Sequence, residues 1–174
     1  MGLPAISTGS TRKPRALSLA ALVLVAQVLA PHAHADPKLL PPQEAFRFSA
    51  RALDDRTLEA RFSVTDGYYL YRDKMRFALE PDMADIPVSL PAGKVKEDQF
   101  FGKVETYRGE VVVRVPLAAP AAKPVVLVAD SQGCADAGVC YPATRQKVTV
   151  AVPEAGKGPG PVVEAYPRKR NWFN

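Results

Sequence analysis

The sequence predicts an all-β fold, an immunoglobulin-like antiparallel β-sandwich. Three observations carry that expectation. Short runs alternate apolar and polar side chains with period two, as half-buried strands do. Turn residues punctuate these runs at a spacing of roughly 8–12 residues, the rhythm of a sandwich. Beyond residue 35, no stretch combines a helical period with caps.

Residues 1–35 stand apart from that pattern. Arg12, Lys13 and Arg15 form a basic stretch, Leu17 to Ala30 is apolar, and Ala33-His34-Ala35 offers an A-x-A cleavage site. Together these are the three parts of a secretory signal peptide. The apolar run, about 14 residues, falls short of the roughly 18–20 that span a bilayer. An exported protein is expected.

Residues 36–44 are proline-rich and read as a loose arm. The folded domain is expected over 45–152. Ala45 to Arg51 alternates and reads as a strand; Asp54-Asp55-Arg56 is a turn. Thr57 to Val64 then places Leu58, Ala60, Phe62 and Val64 on one face. After Asp66-Gly67, Tyr68 to Tyr71 opens an aromatic strand with a possible continuation through Met75 to Leu79. Ile86 to Leu90 reads as a short strand, and Pro91 to Gly102 as polar apart from Phe100 and Phe101. Val104 to Tyr107, the turn Arg108-Gly109 and Glu110 to Leu117 resemble a hairpin. Ala118 to Pro124 connects to an apolar strand, Val125 to Ala129, and Arg145 to Val152 closes the domain. Residues 153–174 turn rich in glycine and proline and read as a flexible tail with a basic-aromatic end.

Charge and composition prune the chemistry. The formal net charge of +5 includes the three basic residues of the signal segment, and 1–35 contains no acid. The remaining domain has no clustered basic face to suggest nucleic acid. Both histidines, His32 and His34, lie in the same segment. Ser-His-Asp and Cys-His sites are therefore excluded, as is zinc held by imidazole. No cofactor and no metal are expected; Met75 and Met83 with the cysteines make only a weak case for Cu(I). Any catalysis falls to sulfur.

The sulfur is Cys134 and Cys140, within Gly133-Cys-Ala-Asp-Ala-Gly-Val-Cys-Tyr-Pro142. In an exported protein, two cysteines first suggest a structural disulfide. Closing so short a loop contributes only about 2–2.5 kcal/mol on the chain-entropy model. A sandwich of this size buries enough core without it, so a reversible couple stays open beside a staple. Asp136 between the cysteines, with no basic residue in the loop, predicts a disfavoured thiolate and a sluggish nucleophile.

The loop 133–142 resembles the active-site loop of the N-terminal periplasmic domains of the thiol:disulfide interchange protein DsbD. Asp66-Gly-Tyr-Tyr-Leu-Tyr-Arg72, Glu97-Asp-Gln-Phe-Phe-Gly-Lys103 and Tyr107-Arg108 match in the same order, so the resemblance covers about residues 45–150. It implies an immunoglobulin-like domain that relays electrons in the periplasm by thiol–disulfide exchange, a protein-disulfide reductase. The implied donor is a thioredoxin-like domain fed by a membrane transporter. The implied acceptors are thioredoxin-like proteins such as disulfide isomerases and cytochrome c maturation thioredoxins. By motif, Cys140 forms the mixed disulfide with partners and Cys134 resolves it. The cap loop falls on Asp98, Gln99, Phe100, Phe101 and Gly102, with Phe100 shielding the disulfide, while Tyr69 and Tyr71 line the site. Two departures stand out. Gln99 replaces an acid often found in the cap. Family members commonly continue into membrane and thioredoxin-like domains, whereas this sequence stops at Asn174. The expectation is a freestanding version served by a separately encoded membrane electron transporter, or else a fragment. The competing expectation is a non-catalytic immunoglobulin-like binding module with a structural disulfide.

Overall fold

The structure, a computed structural model, describes residues 39–99, 101–121 and 123–167 together with Gly2. The stretch 1–35 read as a signal peptide (apart from Gly2), Phe100 and the basic-aromatic end 168–174 lie outside the described residues. The elements are α1 (Pro42–Ala45), β1 (Phe46–Ala52), β2 (Thr57–Val64), β3 (Tyr68–Tyr71), β4 (Arg76–Glu80), β5 (Lys94–Asp98), β6 (Gly102–Tyr107), β7 (Gly109–Pro116), β8 (Val125–Ser131), β9 (Gly133–Ala135), β10 (Thr144–Val150) and β11 (Val163–Glu164). A single 3-10 turn, Arg72–Lys74, separates β3 from β4.

Every ladder is antiparallel. One sheet runs β11-β1-β2-β7, a second β10-β8-β4, and a third β5-β6-β3-β9. The strict alternation in β1, β2, β7 and β10 sends one face inward: Phe46, Phe48, Leu58, Phe62, Val113 and Val150 are all buried. Leu70, Met75, Phe77 and Leu127 complete the same core. The architecture is an immunoglobulin-like β-sandwich.

Several elements differ from the sequence reading, each for a physical reason. The aromatic strand at Tyr68 does not run on to Leu79. The 3-10 turn breaks it, and β4 pairs with β8 in another sheet. Ile86 to Leu90 forms no ladder, because Pro87 inside the run and Pro91 just after it lack donors. It instead packs Ile86, Val88 and Leu90 against the core, while Arg72 hydrogen-bonds the carbonyls of Leu90 and Pro91. The polar run before Gly102 contains β5, an edge strand exposed along most of its length.

The two ends are also better anchored than their composition suggests. Leu40 in the arm is held from both sides. Its N–H donates to the Tyr68 hydroxyl at 2.8 Å, and its carbonyl accepts from the Tyr141 hydroxyl at 2.7 Å. The span read as a flexible tail carries β11, paired with β1 at Ser49–Glu164 and Ala50–Val163. Hydrogen bonds from Gly160 N–H to Ala52 O and Ala165 N–H to Phe48 O extend that attachment. Its glycines and prolines shape the approach to the sheet edge.

Candidate active site

The site grows out of β3, whose four residues Tyr-Tyr-Leu-Tyr are all buried. Successive side chains on a strand point to opposite faces. Tyr68 and Leu70 accordingly join the main core, whereas Tyr69 and Tyr71 join a separate buried cluster with Cys134. The strand read from the sequence as aromatic is thus a partition between core and site.

β9 lies beside it, with Cys134 opposite Tyr69 and Gly133 opposite Leu70. Glycine is required at 133: a Cβ there would overlap the Tyr69 carbonyl oxygen and the Phe46 ring. The absence of a side chain lets β9 approach closely and sets Cys134 into the wall of the cluster.

Cys134 and Cys140 form a disulfide with Cα atoms 4.0 Å apart, bridged across a narrow antiparallel pair. The two sulfurs are not equivalent. Cys134 is fully buried, while Cys140 is partly exposed at the end of an exposed loop, 136–139. Backbone bonds from Ala135 N–H to Val139 O and Tyr141 N–H to Gly133 O close that loop.

Behind the sulfurs sits Asp98, with its side chain fully buried. Its Oδ2 accepts from the hydroxyls of Tyr69 and Tyr71, each at 2.9 Å, and from Lys96 Nζ at 3.3 Å. The Tyr71 hydroxyl is also 3.0 Å from Cys134 Sγ and 3.7 Å from Cys140 Sγ. Burial first, then its hydrogen bonds with Tyr69 and Asp98, hold the Tyr71 phenol well above its usual range. It therefore stays protonated and can donate. Burial opposes the charge on Lys96, but its bonds to Tyr69 and Asp98 outweigh this and raise its pKa. Lys96 remains a cation against the buried carboxylate, 4.7 Å from the Tyr69 ring centroid.

The predicted cap residues occupy the β5–β6 hairpin. Asp98 pairs with Gly102 across it, and Gly102 takes φ +67°, the left-handed conformation such a tight connection needs. Phe101 is 45% exposed and stands edge-on to Tyr71 at 5.1 Å between centroids, with Lys74 Nζ 5.0 Å from its ring. Its N–H donates to Asp98 Oδ1 at 3.2 Å. Gln99 is exposed, and its amide nitrogen lies 3.9 Å from where a Gly138 Cβ would sit. The hairpin thereby reaches the intercysteine loop. Phe100 falls outside the described residues.

One sequence inference needs correction. Asp136 is not an unopposed negative charge. Arg108 grips it in a fork, Nη1 to Oδ2 at 2.9 Å and Nη2 to Oδ1 at 2.6 Å. That hydrogen bonding holds the Asp136 carboxyl below its usual range. Lys96 and Arg108 were absent from the predicted site. Lys96 stands two residues before Asp98 in a charged run, a pattern that also describes any solvated edge. Arg108 had a signal only as part of the Tyr107-Arg108 match.

Comparison with known proteins agrees with this geometry. A family model described as "Thiol:disulfide interchange protein DsbD, N-terminal" matches residues 36–152. The chain is 45% identical over 147 residues to the thiol:disulfide interchange protein DsbD of Ralstonia nicotianae, covering 83% of this chain and 24% of that protein. It is 39% identical over 129 residues to DsbD 1 of Pseudomonas aeruginosa, covering 69% and 22%. The chain thus spans less than a quarter of these curated relatives. Among solved structures, it resembles the reduced DsbD N-terminal domain of Neisseria meningitidis, with TM-score 0.61 and 34% identity, covering 72% of this chain and 94% of that one. It also resembles a chain in the complex between the DsbD N-terminal and PilB N-terminal domains of that organism, with TM-score 0.54 and 38% identity, covering 64% and 87%.

Proposed function

Because the chain belongs to the family of DsbD N-terminal domains, we propose that it is a periplasmic protein-disulfide reductase. In this reading it relays electrons between thioredoxin-like proteins through a reversible Cys134–Cys140 disulfide. The observation that carries this reading is the asymmetry of the two cysteines: one fully buried against a hydroxyl, the other only partly buried at the end of an exposed loop. A staple has no use for that difference; an exchange couple does.

The chemistry follows from it. A thiolate of the reduced donor attacks Cys140 Sγ, forming the mixed disulfide, breaking the Cys134–Cys140 bond and expelling Cys134 as a thiolate. Tyr71 has one hydroxyl proton and, in the oxidised state, two acceptors: Asp98 Oδ2 and Cys134 Sγ. A thiolate is the stronger claim on that proton than a disulfide sulfur, so the hydroxyl turns toward Cys134 as it leaves. The donor's second thiolate then attacks the mixed disulfide and releases Cys140. Two electrons have moved, and the donor leaves oxidised. Running the sequence in reverse with an oxidised acceptor, such as a disulfide isomerase or a cytochrome c maturation thioredoxin, returns the domain to its disulfide. The β5–β6 hairpin acts as the cap, and a membrane electron transporter lies upstream of the donor.

The role assignment is tested by trapping. Cys134→Ser leaves Cys140 free to hold a mixed disulfide with an oxidised thioredoxin-like partner, so a covalent complex accumulates on a non-reducing gel. Cys140→Ser leaves only the buried sulfur and should trap little. Equal trapping by both variants would overturn the assignment. A wild-type disulfide that stays closed in the presence of a reduced thioredoxin-like protein would overturn the relay itself and favour the structural bridge.

A further inference from the structure

The loop between the cysteines is held from outside by Arg108, which lies between β6 and β7. Besides its fork on Asp136, Arg108 Nη1 donates to the Tyr68 carbonyl oxygen at 3.1 Å. Its guanidinium lies 5.2 Å from the Tyr69 ring centroid. Three elements therefore meet on one side chain: β3, the intercysteine loop and the β6–β7 connection. Asp136 is also fixed through its backbone, donating to Gly67 O at 2.7 Å. An exposed single-contact ion pair contributes little, but a bidentate fork with a third hydrogen bond is a different case.

We propose that Arg108 is a positioning residue for the exchange, which clamps the intercysteine loop through Asp136 and cancels that carboxylate's charge in the loop that joins Cys134 and Cys140. The proposal rests on the exchange reading above. Its physical basis is local charge balance. Asp136 lies two residues from Cys134, and a bare carboxylate there disfavours a thiolate on either sulfur. Among the described residues, the other polar and charged groups at the site include Tyr69 and Tyr71 on β3, Lys96 and Asp98 on β5, Gln99 against Gly138, and Lys74 beside Phe101 with its ion-pair partner Asp73. Lys96 and Asp98 already offset each other. The Arg108–Asp136 pair then leaves the loop near neutral, and changing either member tips the balance in a known direction.

The experiment reduces each folded protein with a phosphine, removes the reductant without air, and follows iodoacetamide alkylation of Cys140 across neutral and alkaline pH at low salt. Arg108→Gln exposes the Asp136 charge, and its alkylation midpoint should rise by about half a pH unit, about threefold slower reaction at neutral pH. Asp136→Asn leaves Arg108 unopposed, and its midpoint should fall by a similar amount. The double variant should return to the wild-type midpoint, and Arg108→Lys, which keeps the charge and loses the fork, should stay close to it. A purely mechanical clamp predicts shifts of one sign in both single variants and no restoration. Shifts of one sign, or none, overturn the proposal. Chemical reduction separates this result from the relay: a domain that refuses exchange with protein dithiols still reports thiol reactivity by alkylation.

Discussion

Tyr71 concentrates the site's chemistry in one hydroxyl, which touches a buried carboxylate at 2.9 Å and a buried sulfur at 3.0 Å. Its raised pKa makes it a donor throughout the neutral range. Tyr71→Phe keeps the ring and its edge contacts with Tyr69 and Phe101 but removes the proton offered to the departing Cys134. A hydrogen bond to a charged group contributes about 1.5 kcal/mol or more, so reduction of the disulfide by dithiothreitol at neutral pH should slow about tenfold. Asp98 keeps Tyr69 and Lys96 but loses one hydrogen bond to its buried carboxylate, so the folded state should lose about 1.5 kcal/mol, read as a lower Tm. An unchanged reduction rate would remove Tyr71 from the mechanism. At this scale the sequence was informative where a motif is contiguous. The cysteines, the paired tyrosines and Asp98 each sit in a short matching stretch. Arg108 and Asp136 are 28 residues apart, and no spacing rule joins them until the fold does.

Among the elements, the strands with one buried face were legible, because β1, β2, β7 and β10 write their alternation directly into the chain. Those that escaped notice lack that contrast. β5 is a lysine- and acid-rich edge with little buried on either side, so its composition is that of a loop. β9 is three residues long and inseparable by pattern from the cysteine loop that follows. Its placement depends on Gly133 more than on any side chain. Gly133→Ala puts a methyl group into the Tyr69 carbonyl and the Phe46 ring, and backbone on one side leaves no room to relax. The expected cost is about 2–3 kcal/mol in urea unfolding, at the upper end of overpacking effects. Since the same shift pushes β9 away from β3, Cys134 also loses its contact with Tyr71, and its reduction by dithiothreitol should slow as it does in Tyr71→Phe. A variant as stable as the parent would show that β3 and β9 tolerate wider separation than the sheet allows here.

For the whole molecule, the domain runs past the last core strand, and its final described segment returns to cover an open edge. β11 pairs with β1, while Val163 and Ala165 pack on the core and Gly160 approaches the Ala151 carbonyl after β10. The tail therefore spans the seam between the sheet containing β1 and the sheet containing β10. Proline and glycine concealed this in the sequence, because two paired residues are too few to show a period. Deleting residues 160–174 removes the ladder on β1, the bonds to Ala52 O and Phe48 O, and two half-buried apolar side chains. Hydrogen bonds of about 1 kcal/mol each and about 1–2 kcal/mol of apolar burial are offset by the ordering of the segment. The net loss should be about 1–3 kcal/mol, read as a lower Tm, with a greater tendency to associate through the bared β1 edge. The redox site lies in the sheet of β3 and β9, which β11 does not join. Reduction of Cys134–Cys140 by dithiothreitol should therefore keep its wild-type rate below the unfolding transition. A truncated chain with unaltered Tm would show that the strand adds no stability, and a changed reduction rate would show that the two sheets are coupled through the core.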